Sequence, residues 1–303
     1  MNNSPINIMI AADKNYIYPA SVLITSIFHN HRDDIVNIFF LHKELPDTDK
    51  EKILKLSSKW KYKNISFIDI SEELLDGLHS FGRFSVAAFF RVLGLKLLPD
   101  EVKRVLYLDV DIVLNGNISE LFNSDMSCGV SCCYDMNNYL QGNIDYHKSY
   151  IGLNEEDDYF NSGVILFDME YVRKFDISKL VLEDIYANFD RYQLVDQDAL
   201  NKICKGNIEY LPWQYYNFPC VPMLVKDICH TESKEDFIEY KRVKENDGAV
   251  ADATDYIIRK AKIIHYCTNH KPWIEEEFYS YDNMKEAYRI YQRYEKLLAR
   301  QLR

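Results

Sequence analysis

Two carboxylates offer the sharpest chemistry in this 303-residue chain: Asp109 and Asp111, within Tyr107-Leu108-Asp109-Val110-Asp111-Ile112-Val113-Leu114. One residue separates them, and an apolar run ends on the first. In an extended segment residues i and i+2 face the same side, so both carboxylates are expected to address one small volume. Two hard oxygen donors in such a place suit Mg²⁺ or Mn²⁺, and a cation there would neutralise a diphosphate. Aspartates at strand ends also serve as caps and turn formers. The spacing alone supports either role.

Other ways of holding phosphate are missing. Glycine numbers only 10 in 303 residues, against an average share of about 7%. No two glycines stand two apart, which excludes a G-x-G-x-x-G loop. Gly77 and Gly82 have the spacing of a phosphate-binding loop, but Arg83-Phe84 follows where Lys-Ser/Thr is required. Lys+Arg 36 against Asp+Glu 47 gives a net charge of −11, which argues against general nucleic-acid binding. The seven cysteines include no C-x-x-C pair, the pattern of free thiols in a reducing compartment. Cys132-Cys133 reads as core packing, because neighbours on a strand face opposite ways. The start of the chain shows no signal peptide, and no apolar run approaches the ~18–20 residues that span a bilayer. A cytoplasmic protein is expected.

The elements that must position the carboxylates read as alternating strands and helices. Apolar runs at 6–11, 35–41, 65–70, 102–108, 130–133, 164–167 and 262–266 have the near-continuous character of strands covered on both faces. Helical patterns fall at 18–29, 47–60 and 86–98, the last stopped by Pro99. This βαβα order predicts an α/β fold with a mostly parallel sheet. A charge-rich stretch over about 220–260 reads as a helical insertion, a lid or acceptor-binding element within a domain spanning 1–276. The tail, 277–303, reads as a basic amphipathic helix, with Met284, Ala287, Tyr288, Tyr291, Tyr294 and Leu298 at helical intervals. Its cations fit contact with an anionic membrane surface; its tyrosines fit docking on the domain.

Several further segments keep company with the carboxylate pair: Ala11-Ala12-Asp13-Lys14-Asn15-Tyr16, Arg91, YFNSGVILFDM at 159–169, VDQDALN at 195–201 and HYCTNHKPW at 265–273. In this order they make the chain resemble glycosyltransferase family 8, which includes bacterial lipopolysaccharide galactosyl- and glucosyltransferases and glycogenin. The resemblance runs from about Asn7 to Trp273. It implies a GT-A type, Rossmann-like nucleotide-binding domain. It also implies transfer of a hexose from UDP-glucose or UDP-galactose, with retention, to a glycan, lipopolysaccharide or glycolipid acceptor.

By that resemblance Mn²⁺, or Mg²⁺, would be held by Asp109, Asp111 and His265. Asp13 and Asn15 would meet the uracil and ribose, with Tyr16 stacked on the base. Lys271 would pair with the diphosphate, and Arg91 would touch phosphate or sugar hydroxyls. Asn161 and Ser162 would line the donor sugar. Asp196 and Gln197 would lie beneath it, Asp196 accepting from hydroxyls and the Gln197 amide oxygen facing the anomeric carbon as weak nucleophile or stabiliser. Asp196 also has the look of a helix N-cap. Thr268 stands where the family often has glycine, which puts any contact between that position and the diphosphate in doubt.

Two other readings stay open. The same eight residues fit D-x-D-x-V, the nucleophile signature of haloacid-dehalogenase-type phosphatases, though here three strands precede it and the acidic pair Asp157-Asp158 comes before a strand. A non-catalytic nucleotide-sugar binder would need the same pocket without turnover. In the transferase reading the protein works in the cytoplasm, with its tail against the inner face of the membrane.

Overall fold

The computed structural model describes residues 4–75, 86–221, 258–274 and 285–303. Seven strands form one sheet: β1 (Ile6–Ala11), β2 (Val36–His42), β3 (Lys63–Asp69), β4 (Arg104–Leu108), β6 (Val130–Tyr134), β7 (Phe160–Asp168) and β8 (Ile208–Tyr210). Their order is β3-β2-β1-β4-β7-β6-β8. All pairings are parallel except those of β7, which runs against both β4 and β6.

Alternation along the strands divides the core into two layers. Ile6, Ile8 and Ile10 of β1 pack with helices α1 (Ile17–Asn30) and α2 (Asp47–Ser58). Met9 and Ala11 face the other way, onto α3 (Phe90–Leu97) and the helix Ile177–Asn188. Burial on both faces is why these strands read as unbroken apolar runs.

The structure differs from the sequence expectation in places that matter. β5 (Ile112–Leu114), β9 (Phe218–Pro219) and β10 (Ile263–His265) form a second, three-stranded sheet in the order β5-β10-β9. The predicted strand at 262–266 therefore belongs to this small sheet, not the large one. Strands of two or three residues are too short to show a period. β7 begins at Phe160 rather than 164, because Asn161, Ser162 and Gly163 interrupt its apolar pattern. The helix expected over 86–98 opens as a 3₁₀ turn, Val86–Phe89, and ends before an extended Leu98, as a residue preceding proline requires. Of the expected insertion over 220–260, residues 222–257 lie outside the described residues.

The C-terminal helix, Lys285–Gln301, packs on α1. It buries Ala287, Ile290, Tyr291, Tyr294 and Leu298 in the same core layer as β1. Asn30 Nδ2 donates to the Tyr294 hydroxyl at 2.9 Å, and the Tyr266 hydroxyl donates to the Ala287 carbonyl at 2.7 Å. Tyr291 stacks on Trp273, their ring centroids 5.8 Å apart. Arg289, Arg293, Lys296 and Arg300 face solvent; Met284 is outside the described residues. The helix is thus welded to the domain by one face and presents its cations on the other. Tyr291→Ala is expected to cost about 3–5 kcal/mol of stability in urea denaturation, as a buried aromatic does. Lys296→Ala should stay within about 0.5 kcal/mol.

Candidate functional site

β4 delivers Asp109 to the point where the two sheets part. The Asp109 N–H still bonds the Gly163 carbonyl of β7 at 2.9 Å. The chain then turns through Val110 and Asp111 and leaves as β5. The carboxylates therefore converge through a turn rather than through the pleat of one extended strand. β10 pairs antiparallel to β5, which sets His265 opposite Ile112 and beside Asp111.

Here Asp109, Asp111 and His265 bring one ligand atom each within 4.8 Å of one another. His265 Nε2 lies 3.2 Å from Asp111 Oδ1 and 3.9 Å from Asp109 Oδ2. Two carboxylate oxygens and an imidazole nitrogen are donors that suit Mn²⁺ or Mg²⁺. Close packing against β7 confirms how tightly this corner is drawn. A Cβ on Gly163 would stand 2.3 Å from His265 Cε1 and 2.9 Å from Asp109 Oδ2.

Each carboxylate spends its other oxygen on the protein. Asp109 Oδ1 accepts from the Tyr107 hydroxyl at 2.8 Å and lies 3.0 Å from Arg91 Nη2. Asp111 Oδ2 lies 2.6 Å from Lys271 Nζ, which also donates to the Tyr266 carbonyl at 2.8 Å. Burial pushes the Asp111 pKa up, but the charges of Lys271 and His265 outweigh it and hold the carboxyl well below its usual range. Burial opposes the charge on Lys271 in turn, and Asp111 more than restores it.

Arg91 rises from α3 into the same corner. It is 8% exposed, lies with its guanidinium 4.6 Å from the Tyr107 ring centroid and donates through Nη1 to the Ser162 carbonyl. Its Nε is 2.8 Å from Asp196 Oδ2, yet neither atom has a directed hydrogen bond among the described residues. The contact is ionic, and Asp196 Oδ2 keeps hydrogen-bonding capacity. Burial works against the guanidinium charge, but Asp109 and Asp196 raise the Arg91 pKa above its ordinary value. Burial also raises the Asp196 carboxyl to about 6, against the pull of Arg91.

Asp196 opens the helix Asp196–Ile203 but does not cap it. The cap position is Val195, at φ 38°, a left-handed conformation rare for a β-branched residue. The Asp198 carboxylate holds this turn by accepting from the N–H groups of Gln193 and Leu194, at 3.0 and 2.8 Å. Gln197 is engaged at both ends. Its Oε1 accepts from the Ser162 N–H at 2.9 Å, the Ser162 hydroxyl at 3.2 Å and Asn161 Nδ2 at 3.4 Å. Its amide nitrogen donates to Asp135 at 2.8 Å. The amide oxygen expected to face a sugar is thus committed to β7.

These groups line a cleft of about 820 Å³. Tyr16, 40% exposed, stands in its wall and meets Trp273 edge-on at 6.3 Å. Asp13 and Asn15 are not among the lining residues; the Asp13 carboxylate instead accepts the Asn15 N–H at 2.8 Å. Thr268 lines the cleft, and its hydroxyl donates to the His270 carbonyl. Sequence reasoning missed Tyr107, Asp135, Gly163 and Asn217. Asn217 Oδ1 lies 3.0 Å from His265 Nδ1, although no local pattern in the chain singles it out.

Comparison with known proteins follows this geometry. The family model described as Glycosyl transferase family 8 matches residues 7–277. The lipopolysaccharide 1,2-glucosyltransferase of Escherichia coli (strain K12) is 26% identical over 271 residues, 88% of this chain and 72% of that protein. Glycosyltransferase GlyF of Streptococcus pneumoniae serotype 4 is 26% identical over 285 residues, 94% of this chain but only 61% of its own length. A crystal structure of the galactosyltransferase LgtC in complex with donor and acceptor sugar analogs shares the fold. Its TM-score is 0.72 at 23% identity, over 95% of each chain.

Gly163→Ala tests the tight corner directly. The methyl group must displace the His265 ring, so Mn²⁺ affinity in titration calorimetry is expected to fall at least ~10-fold, the scale of losses when ligand orientation is disturbed. Unchanged affinity would show that the ring does not need its place against β7.

Proposed function

This chain belongs to glycosyltransferase family 8 and has a GT-A type α/β fold, and from that premise we propose that it is a metal-dependent retaining hexosyltransferase. It takes glucose or galactose from a UDP-sugar and passes it to a glycan, lipopolysaccharide or glycolipid acceptor. The observation that carries this reading is the meeting of Asp109, Asp111 and His265 with Lys271 and the Arg91–Asp196 pair on one cleft. Asp109, Asp111 and His265 would hold Mn²⁺ or Mg²⁺, which would supply Lewis-acid stabilisation of diphosphate charge.

The chain's own residues do the rest. Lys271 keeps its proton and offers a fixed positive charge where the leaving UDP gathers negative charge. Arg91 holds Asp109 and Asp196 apart and in place. The Asp196 carboxylate, held by Arg91 through Oδ2, accepts from a hydroxyl of the donor sugar, and Asn161 and Ser162 shape the wall beside it. Tyr16 offers its exposed ring to the uracil, with Asp13 and Asn15 in the loop below. Because Gln197 Oε1 already accepts from Ser162, Gln197 acts as a stabilising dipole rather than a nucleophile. The phosphatase alternative is disfavoured: Asp157 pairs with Lys205, and the Tyr134 hydroxyl donates to Asp158, both away from the cleft lining.

Among the described residues no helix is long and apolar enough to cross a membrane. The outward cations of the C-terminal helix suit a peripheral place on the inner, anionic face of the membrane, which would bring the cleft to a lipid-linked acceptor.

Two measurements test these readings. With a UDP-sugar panel, UDP release should require Mn²⁺ and an acceptor, vanish with EDTA, and fall by at least ~10³-fold in Asp109→Ala and Asp111→Ala. Phosphate release from small phosphoesters would favour the phosphatase, and UDP affinity without turnover on any acceptor would favour a binder. In co-sedimentation, vesicles with an anionic lipid should retain the protein at low salt and lose it on Arg293→Glu/Lys296→Glu. Equal retention by neutral vesicles would remove the membrane assignment.

A further inference from the structure

Granting the transferase reading of the cleft, we propose that its far arm is an outer acceptor subsite for a neutral oligosaccharide, with Tyr146 as the platform for a second sugar ring.

The arm starts beside Gln197. Asp135 Oδ2 accepts from the Gln197 amide at 2.8 Å and from Asn138 Nδ2 at 2.7 Å. Asp135 also caps the short helix Met136–Leu140 by accepting the Asn138 N–H. A turn through Gly142, at φ 71°, leads into the helix Ile144–Ile151. These two helices and their turn line the cleft with Asn137, Asn138, Gln141, Asn143 and His147. Gln193 joins them from the turn before Asp196.

The lining cations stand at the other end. Among the described residues of the lining, Arg91 and Lys271 carry the Lys and Arg charge, and both are paired with aspartates. Around the arm, Lys148 donates to the Glu155 carbonyl and lies 3.5 Å from Asp145, while Arg191 donates to the Tyr150 carbonyl. Amides remain. Gln141 Nε2 donates to Asn137 Oδ1 at 2.7 Å, and Gln193 Nε2 donates to the Tyr146 hydroxyl at 2.8 Å. Each of these amides spends one end on the protein; among the described residues Asn137 Nδ2 and Gln193 Oε1 have no partner. Donors set beside acceptors match sugar hydroxyls, which do both. A phosphate or carboxylate only accepts and calls for Lys or Arg. Here it would meet Asp135 instead.

Tyr146 completes the arm at its rim. Its ring is 58% exposed. Single exposed aromatics are common, but this one is fixed from several sides. Gln193 holds its hydroxyl, and its ring meets His147 and Tyr150 edge-on at 6.1 and 5.4 Å. His147 is held in turn, its Nδ1 lying 2.6 Å from the Tyr150 hydroxyl. A ring fixed in this way offers contact area to the apolar C–H face of a pyranose at little ordering cost. Its neighbours His147 and Gln193 both line the cleft, so a glycan leaving Gln197 along the amides reaches the ring.

Saturation-transfer NMR and calorimetry on the full chain with Mn²⁺ and UDP test the subsite. The probes are glucose, galactose, their neutral di- and trisaccharides, and phosphorylated and sialylated counterparts. Neutral glycans of two or more rings are expected to bind ~10-fold more tightly than single rings, the scale of one stacking contact with one hydrogen bond. Charged counterparts should bind at least ~10-fold more weakly than neutral ones. Tyr146→Ala should bring the oligosaccharides down to the affinity of a single ring. Tyr146→Phe keeps the platform and should stay within about threefold of wild type. UDP affinity is expected to be unchanged in both variants, which separates the platform from general loss of fold.

A charged glycan preferred to its neutral counterpart, or no gain from a second ring, would overturn the proposal. So would wild-type oligosaccharide affinity in Tyr146→Ala, or no glycan binding at all. UDP release to a single-sugar acceptor together with any of these results strikes the outer subsite alone. Oligosaccharide binding that depends on Tyr146, with no UDP release from any UDP-sugar, would instead defeat the transferase reading and leave a glycan-binding arm.

Discussion

The buried charge of Arg91 is the interaction on which the rest of the site depends. One guanidinium, carried on α3, lies between Asp109 at the end of β4 and Asp196 at the start of a helix far along the chain. Its Nη1 reaches the Ser162 carbonyl of β7. Three segments distant in sequence are thereby held to one point. Without the guanidinium two carboxylates would face each other in a buried place, and removing one partner of such an arrangement typically costs about 3–5 kcal/mol. The pair is expensive to bury even when complete, so stability alone does not account for it. The raised pKa of Asp196 carries the same message: burial works against its charge, and Arg91 only partly compensates.

Strain next to Asp196 fits this account. Val195 adopts a positive φ that its branched side chain disfavours. It can do so because Asp198 anchors the preceding turn through two backbone N–H groups, while the Tyr150 and Tyr159 hydroxyls donate to the same carboxylate. The turn is over-determined, and the result is a helix that begins with Asp196 and Gln197 facing the cleft.

The legible parts of this molecule were those written in consecutive residues. Continuous apolar runs announced the central strands, because burial on both faces leaves no room for polar residues. The carboxylate pair stood out because its two members are one residue apart, and family resemblance then located His265, Arg91, Lys271, Asp196 and Gln197. Asp196 looked like a cap because an acidic residue opening a helix usually is one; the strained Val195 takes that place instead. The small sheet was hidden by strands too short to show a period. Asn217 was hidden for a different reason: an asparagine becomes informative only when its amide is seen between a histidine and another amide. Tyr107 and Gly163 looked like ordinary strand residues until β7 was placed beside β4.

In the function proposed, the corner of Asp109, Asp111 and His265 lets a glycine-poor chain meet a diphosphate. Glycine-rich loops present backbone N–H groups to phosphate, whereas here charge is concentrated on side chains. The two aspartates divide their oxygens: Oδ1 of Asp109 and Oδ2 of Asp111 are paired with Arg91 and Lys271, and the remaining oxygen of each turns toward His265 Nε2. Paired oxygens keep the carboxylates oriented and hold Asp111 ionised before any ligand arrives, so little reorganisation remains to be done on binding. Within this corner glycine is still required at 163, because this concentration of side chains leaves no space for a Cβ beside His265. The lack of a glycine-rich loop and the glycine at 163 both accord with a corner that uses side-chain charge in place of backbone donors.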